Sequence, residues 1–245
     1  MKIGIIGAGN IGASLVGKLA AAGHQVKVAN SKGPETLREL ADATGAQAVH
    51  KQDAVKDVDA IILSIPFLSY ADHLASLFAD VPADVTVIDT SNYYPFRDGT
   101  LDGLDNGTPE SVWVSQQIGR PVIKAWNAVL AATLAERGKP AGAAGRIALP
   151  VAGDDAKAKA VAMQLVDDTG FDALDAGSLA DSWRQQPGTP AYCTELTLDE
   201  LNSALAAADK KRAPENREAL ITQFMARYDE LTHDDTIEMN RAGTA

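Results

Sequence analysis

Cysteine, basic residues and long apolar runs are scarce in this chain, and each shortage removes a class of protein. Cys193 is the only cysteine, so the chain can form neither an internal disulfide bond nor a zinc site built from several cysteines. Such cysteine use is typical of the reducing cytoplasm, where we expect this protein. The histidines His24, His50, His73 and His233 lack a metal-binding spacing such as His-Glu-x-x-His, so we expect no bound metal.

The charge balance and the hydropathy pattern narrow the set of partners. The sequence has 22 Lys and Arg against 33 Asp and Glu, which gives a formal net charge of −11. Because proteins hold nucleic acids through clustered Lys and Arg, we expect no nucleic-acid partner. No run reaches the roughly 18 apolar residues of a membrane-spanning helix, so we expect no membrane partner either. A site for one small anion remains compatible with this charge.

Short apolar runs alternate with helix-like segments along most of the 245 residues. The run from Lys2 to Ile6 breaks at Gly7, and apolar residues then recur at helical spacing up to a stop at Gly23. Repeated strand-helix-strand units predict an α/β fold of the Rossmann type, with a doubly wound parallel sheet. The six predicted strands are Lys2 to Ile6, Val26 to Ala29, Ala46 to Val49, Ala60 to Ile65, Val85 to Ile88 and Val122 to Ala125.

The chain after the sixth predicted strand divides into a sheet extension and a small appendage. Ile147 to Ala152 and Phe171 to Leu174 are strand-like and are expected to extend the same sheet. We therefore predict a nucleotide-binding Rossmann domain over residues 1–176 and a small C-terminal region over residues 177–245. That region begins with an irregular loop, Gly177 to Cys193, and its last fifty or so residues predict two amphipathic helices and a frayed tail.

A glycine motif follows the first predicted strand and opens the first predicted helix. Gly7-Ala8-Gly9-Asn10-Ile11-Gly12 matches the dinucleotide-binding pattern G-x-G-x-x-G. In this context Gly7 permits a tight turn, Gly9 lets the backbone approach a pyrophosphate, and Gly12 lets the helix pack against the strand. The free N–H groups of the helix then face the anion. The sequence therefore predicts that Gly7, Ala8, Gly9, Asn10, Ile11 and Gly12 bind a dinucleotide cofactor.

The end of the second predicted strand favours NADP(H) over NAD(H). An NAD site usually has an Asp or Glu about 20 residues after the glycines to bind the ribose hydroxyls. Here the chain reads Asn30-Ser31-Lys32-Gly33-Pro34, and the first acidic residue of the protein is Glu35. Asn30, Ser31 and Lys32 would offer donors to a 2′-phosphate. Lys32 could equally be a solvated turn residue, and some sites accept both cofactors.

Two further segments end predicted strands at the edge where open α/β sheets bind ligands. Ser64-Ile65-Pro66 follows the fourth strand, and we place it beside the nicotinamide riboside, although Pro66 could merely begin a crossover. Lys124-Ala125-Trp126-Asn127 ends the sixth strand, where Ala125 and Asn127 are candidate cofactor contacts. A buried Trp is more often part of a core than a stacking platform.

These segments together resemble the family of NADPH-dependent F-420 reductases, the F-420-dependent NADP oxidoreductases. The glycine loop is shared by many dehydrogenases, whereas the Asn-Ser-Lys-Gly-Pro turn and the Lys-Ala-Trp-Asn segment are more particular to this family. The resemblance spans about two thirds of the chain. The matching segments are Ile3 to Gly12, Asn30 to Pro34, Ser64 to Pro66, Val122 to Asn127 and Leu149 to Asp155.

The resemblance implies an NADP(H)-dependent oxidoreductase that passes hydride between NADPH and a stacked acceptor such as coenzyme F-420 or a flavin. It also implies a small C-terminal part and a homodimer. F-420 has an acidic tail, for which Arg97, Arg120 and Arg184 are the candidate partners if they are not simply surface charges. The implied NADP contacts are Ala8, Gly9, Asn10, Ile11, Ser31, Lys32, Ile65 and Pro66.

Direct hydride transfer between two stacked rings needs binding, orientation and water exclusion rather than an acid or base. We accordingly assign no catalytic residue. Trp183, Arg184 and Tyr192 could line the acceptor pocket, or their loop could only buttress the sheet. Two alternatives stay open: an NADPH-dependent carbonyl or imine reductase of the β-hydroxyacid dehydrogenase type, and a non-enzymatic NADP sensor.

Overall fold

A six-stranded parallel sheet forms the centre of the protein, in a computed structural model that describes residues 1–70 and 74–245. His73 lies outside the described residues. The strand order is β3-β2-β1-β4-β5-β6, which confirms the predicted Rossmann-type doubly wound fold. The strands are β1 (Lys2–Ile6), β2 (Gln25–Ala29), β3 (Gln47–Ala48), β4 (Ala60–Leu63), β5 (Thr86–Asp89) and β6 (Ile123–Lys124).

Helices flank this sheet and also make up most of the C-terminal region. The helices are α1 (Asn10–Ala21), α2 (Arg38–Thr44), α3 (Lys51–Ala54), α4 (Pro95–Asp98), α5 (Glu110–Ile118), α6 (Ala131–Glu136), α7 (Ala156–Asp168), α8 (Leu198–Ala207), α9 (Ala213–Ala226) and α10 (His233–Thr244). Short 3-10 turns cover Pro34–Leu37, Phe67–Tyr70, Leu74–Phe78 and Leu179–Gln185. None of the helices formed by residues 1–70 and 74–245 is long and apolar enough to cross a lipid bilayer.

Two hydrophobic clusters cover the two faces of the sheet. All four residues of β4 are fully buried, as expected for a central parallel strand with helices on both sides. Successive side chains of a strand point to opposite faces. Ile62 therefore joins one cluster, whereas Ile61 and Leu63 join the other. This two-sided burial fixes the register of the sheet, and hence the edge at which the strand-to-helix loops meet.

The prediction that the two later strands extend the main sheet is wrong. β7 (Ala148–Val151) and β8 (Asp172–Asp175) pair with each other in a separate parallel sheet. Among the described residues, this second sheet is joined to β6 by one isolated antiparallel bridge, between Ala152, just beyond β7, and Lys124. β6 is two residues long, and the segment after β7 runs antiparallel to it. β7 therefore cannot continue the parallel ladder of the main sheet.

The C-terminal region contains three helices where the sequence predicted two and a frayed tail. The predicted tail is α10, which packs on α9 and buries Ile237. A capping box begins this helix: Thr232 accepts from the backbone of Asp235, and the Asp235 carboxylate accepts from the backbone of Thr232. This Thr-x-x-Asp signal stands in the sequence and satisfies the otherwise free N–H groups of the first turn.

Candidate functional site

The glycine loop between β1 and α1 has no room for side chains at two of its three glycines. A Cβ atom built on Gly7 would lie 1.9 Å from the carbonyl oxygen of Ser64, and Gly7 has a φ of +103°. A Cβ on Gly12 would lie 2.1 Å from the carbonyl oxygen of Gly7. Both contacts are far inside van der Waals range, so these positions admit only glycine. The loop is thereby held tightly against the end of β4.

The third glycine, Gly9, leaves the N-terminus of α1 open to a ligand. Gly9 is the N-cap residue, no side chain caps the helix, and its first turn contains no acidic residue. A Cβ built on Gly9 would meet no atom within 4 Å. The first N–H groups of α1 and the positive end of its dipole therefore face open space. This cradle fits a dinucleotide pyrophosphate.

The loop after β2 is organised by Asn30. The Asn30 side-chain oxygen accepts from the backbone N–H of Lys32 at 2.9 Å and of Gly33 at 3.0 Å, and its amide nitrogen donates to the Thr36 hydroxyl at 2.9 Å. Ser31 and Lys32 are exposed at the tip of the turn. The Asn30 side chain thus shapes the loop, while Ser31 and Lys32 remain available to a ligand.

A cleft of about 440 Å³ opens where the carboxyl ends of β1, β4, β5 and β6 meet. Open α/β sheets bind their ligands at this edge. Seven of the predicted cofactor residues line it: Gly9, Asn10, Ile11, Ser64, Ile65, Pro66 and Asn127. The other lining residues are Phe67, Thr90, Ser91, Asn92, Tyr94, Arg97, Trp126, Val129, Leu130, Ala131, Tyr192 and Cys193. The predicted residues outside this lining are Gly7, Ala8, Gly12, Asn30, Ser31, Lys32 and Ala125.

The segment after β6 contributes a wall of the cleft rather than free polar groups. Ala125 is fully buried in the core. The Asn127 amide donates to Asn92 at 3.0 Å and to the Gln185 carbonyl at 2.7 Å, and its oxygen accepts from the Gln185 side chain at 2.8 Å. The Trp126 ring is buried and donates to Thr169, so its indole belongs to the core. Asn127 therefore joins three segments of the cleft.

Several cleft residues were not predicted from the sequence. Asn92 lies shortly after the end of β5 at Asp89, on the same edge of the sheet as Ser64, so the position of β5 could have indicated this region. Tyr94 and Tyr192 are 98 positions apart, yet their hydroxyl oxygens lie 2.8 Å apart at the cleft. Only Tyr192 was a candidate. Burial raises the pKa of both phenols, so both stay protonated and able to donate hydrogen bonds at neutral pH.

Two cleft residues have strained backbones. Trp126 and Cys193 both have a φ of +55° without being glycine. Left-handed conformations of bulky residues are uncommon and cost on the order of 1–3 kcal/mol each, and they cluster at functional sites. Both residues line the cleft. The fold therefore maintains local strain at this position, which supports its identification as a functional site.

The Cys193 thiol should be inert in the native protein. The residue is buried, and burial raises the pKa of the thiol to about 12. Because the thiolate is the reactive form, we expect native protein at about pH 8 to react with Ellman's reagent roughly a hundredfold more slowly than protein unfolded in urea. Equal rates in the two states would show that the thiol is exposed and ionised.

A buried polar network lies beneath the cleft. The Lys124 ammonium is fully buried and donates to Glu110 at 3.0 Å and to Ser111 at 3.1 Å. It also donates to the carbonyl of Ser91, a cleft residue, at 3.2 Å. The buried Asp89 carboxylate accepts from the hydroxyls of Ser91 and Ser111. Burial raises the pKa of Glu110. The network thus fixes the chain after β5, which forms one side of the cleft.

The candidate partners for an acidic acceptor tail are already engaged. Arg120 donates to backbone carbonyls and lies over the Phe78 ring, and Arg184 lies 4.6 Å from the Trp183 ring centre. Neither arginine lines the cleft. Arg97 does, but it forms two hydrogen bonds with the Asp98 carboxylate. Within the described residues, no three His, Cys, Asp or Glu side chains are grouped to hold a metal ion.

Two known proteins are similar to this chain, one in sequence and one in both sequence and structure. The protein YjhV of Escherichia coli (strain K12) is 42% identical over 103 residues, which is 42% of this chain and 75% of YjhV. The crystal structure of SMa0349 from Sinorhizobium meliloti is 32% identical, covers 80% of this chain and 95% of its own, and superposes with a TM-score of 0.70.

A third relative has the same fold at lower identity. A protein of Arthrobacter sp. FB24, proposed to be an F420-dependent NADP reductase, is 23% identical over 74% of this chain and 87% of its own, with a TM-score of 0.63. The family profile for coenzyme F420-dependent NADP oxidoreductases matches residues 2–93. That segment contains β1 to β5, the glycine loop and the turn after β2. The chain belongs to the family of coenzyme F420-dependent NADP oxidoreductases.

Proposed function

We propose that this protein transfers a hydride between NADPH and a small-molecule acceptor that stacks in the cleft, such as coenzyme F-420 or a flavin. The observation that carries this proposal is a single continuous cleft. It joins the open N-terminus of α1 to the ends of β4, β5 and β6. When bound, NADPH supplies the hydride from its nicotinamide ring.

The residues of the glycine loop would bind the cofactor phosphates. The backbone N–H groups of Asn10 and Ile11 face the pyrophosphate, and Gly9 lets it approach. Gly7, Ala8 and Gly12 shape the turn. Ser31 and Lys32 bind the 2′-phosphate through charge-assisted hydrogen bonds, and Asn30 orients them. Ser31 and Lys32 offer the donors that a phosphate ester requires, and the Glu35 carboxylate lies beside Gly33 in the same turn.

The remaining cleft residues would orient the reacting rings. Ser64, Ile65 and Pro66 pack against the nicotinamide riboside from the end of β4. Ala125 is buried in the core at the end of β6, and Asn127 fixes the segment after β6 through its bonds to Asn92 and Gln185. Residues 177–245, the proposed small C-terminal region, close the acceptor side through Tyr192. Such positioning accelerates hydride transfer without an acid or base.

Charge reversal at Lys32 should abolish the preference for NADPH over NADH. Lys32→Glu places a carboxylate where the 2′-phosphate is proposed to bind, so we expect NADPH affinity to fall about tenfold or more and NADH affinity to change little. Fluorescence titration with both cofactors measures this. Lys157→Glu, the same charge change at an exposed position of α7, is the control. Equal losses for NADPH and NADH would contradict the assignment of the 2′-phosphate site.

Steady-state oxidation of NADPH tests the proposed activity. Purified protein is mixed with NADPH and, in parallel, F-420, FMN, a ferric chelate or no acceptor, and absorbance of NADPH is followed. We expect oxidation that depends on F-420 or FMN and is much slower with NADH. Tight NADPH binding without oxidation by any acceptor would instead support the sensor alternative.

A second candidate is reduction of a carbonyl or imine, and the tyrosine pair favours it. Such a reaction needs a hydrogen-bond donor at the atom that becomes negative. Tyr94 and Tyr192 provide hydroxyls at the cleft. Aldehydes and cyclic imines are therefore included as acceptors. Turnover of these together with no oxidation by F-420 or FMN would favour this candidate.

A further inference from the structure

A second cavity adjoins the cleft at its tyrosine wall. Its volume is about 160 Å³, and Tyr94, Leu130 and Tyr192 line both spaces. The hydrogen-bonded hydroxyls of Tyr94 and Tyr192 thus form part of the boundary. A ligand held in the cleft beside this pair lies next to the second cavity, which we call the apolar chamber.

The walls of the apolar chamber come mainly from the C-terminal helices. Leu220, Ile221 and Phe224 reach it from α9, and Met239 reaches it from α10. These large apolar side chains offer dispersion contacts to an apolar ligand and no strong hydrogen bonds. The C-terminal helices α9 and α10 therefore form an apolar wall next to the cleft.

The polar residues of the chamber wall have partners elsewhere. The Arg217 guanidinium pairs with Glu218. The Asn240 amide donates to the Cys193 carbonyl at 3.2 Å, and the Thr236 hydroxyl donates to a backbone carbonyl one turn earlier at 3.0 Å. A polar ligand group in the chamber would lose its water without gaining these donors, so the chamber selects against polar groups.

We propose that the apolar chamber binds an aryl-sized apolar group of the hydride acceptor, while the Tyr94–Tyr192 pair hydrogen-bonds to the polar atom beside it. This inference rests on the proposed function, because it names the chemical class of the acceptor. A volume of about 150 Å³ is enough for a benzene ring, so the 160 Å³ of the chamber sets the size of the group. The tyrosine pair uses one of its two hydroxyl hydrogens internally. Tyr192 also hydrogen-bonds to the Cys193 thiol, and because sulfur is a weak acceptor, a carbonyl or imine of the acceptor can take that hydrogen in its place.

Binding of a fluorinated aryl probe tests the chamber directly. 4-Fluorobenzyl alcohol is titrated into the NADPH-loaded protein and followed by fluorine NMR, with 2,2,2-trifluoroethanol as the probe that lacks a ring. We expect saturable binding of the aryl probe only. Ile221→Trp and Met239→Trp fill the chamber from two different helices. Each should weaken binding of the aryl probe about tenfold or more. Gln223→Trp, at an exposed position of α9, should leave it unchanged.

The controls separate the chamber from the cofactor site. NADPH affinity and the unfolding midpoint should be the same in wild type and in all three Trp variants. Saturable binding that survives both filling variants, or no saturable binding to wild type, would overturn the inference. A change of oligomeric state in the filling variants would also overturn it, since the chamber would then be covered by a second copy of the chain. Probe binding without any NADPH binding would contradict the proposed function, while the apolar chamber would still be supported as a binding site.

Discussion

Replacing Lys124 with methionine should cost about 3–5 kcal/mol of unfolding free energy. The Lys124 ammonium is fully buried and compensates the buried Glu110 carboxylate. Removing it leaves a charge in a low-dielectric interior with no opposite partner, and Ser111 and the Ser91 carbonyl lose a donor. Chemical denaturation measures the loss. The expected value is a large part of the total stability of an ordinary domain.

The pH dependence and two further variants distinguish this cause from a simple packing defect. In Lys124→Met the pKa of Glu110 should rise further, so the folded state binds an extra proton that the unfolded state releases. The stability deficit should therefore be small near about pH 5 and grow toward about pH 8. Glu110→Leu in the same background should recover much of the loss. Lys159→Met, which breaks the partly exposed pair with Asp175, should cost at most about 1 kcal/mol. A pH-independent deficit would contradict the account.

Gly9→Ala should lower NADPH affinity about tenfold or more without destabilising the fold. Gly9 has a φ of −72°, which alanine adopts freely, and an added Cβ would meet no protein atom within 4 Å. The added methyl group would instead occupy the space in which the pyrophosphate is proposed to approach the helix. Fluorescence titration with NADPH, together with thermal unfolding of the free protein, measures the two effects separately.

Two neighbouring glycines provide matched controls. Gly17→Ala lies in the same helix and makes only an ordinary contact with Thr44, so it should keep the affinity and raise stability slightly. Gly12→Ala would place a Cβ 2.1 Å from the Gly7 carbonyl oxygen, so it should destabilise the protein itself. Full NADPH affinity in Gly9→Ala would show that the cofactor phosphates bind elsewhere.

Local patterns in the sequence were sufficient to predict the main sheet. Its central strands β1, β4 and β5 are short runs rich in apolar residues, and a buried parallel strand has this pattern. The pairing of β7 with β8 was not predictable in this way. Their apolar runs look like those of the main sheet, and what separates them is the direction in which Ala152 meets Lys124. The direction of a strand and the strand beside it are set by the tertiary fold. Hydrophobic periodicity in the sequence carries no information about either.

The candidate site likewise has parts that the sequence could predict and parts that it could not. The glycine loop and the turn after β2 are contiguous in sequence and could be recognised as motifs. The Tyr94–Tyr192 pair and the Lys124–Glu110 pair join distant positions, and neither half has a local signature. Asn127 was identified as a polar group, yet its amide proved to be engaged by Asn92 and Gln185. Sequence indicates which polar groups are present, whereas the fold decides which remain free for a ligand.

Equilibrium titration of the wild-type protein with NADPH and with NADH, followed by cofactor fluorescence, tests the central claim most directly. The cleft at the carboxyl edge of the sheet, with its open helix N-terminus, and the exposed donors Ser31 and Lys32 in the turn after β2 together predict saturable binding of NADPH to one site per chain. They also predict binding of NADH that is about tenfold or more weaker. Absence of saturable NADPH binding, or equal affinity for the two cofactors, would contradict the assignment of this cleft as an NADP(H) site.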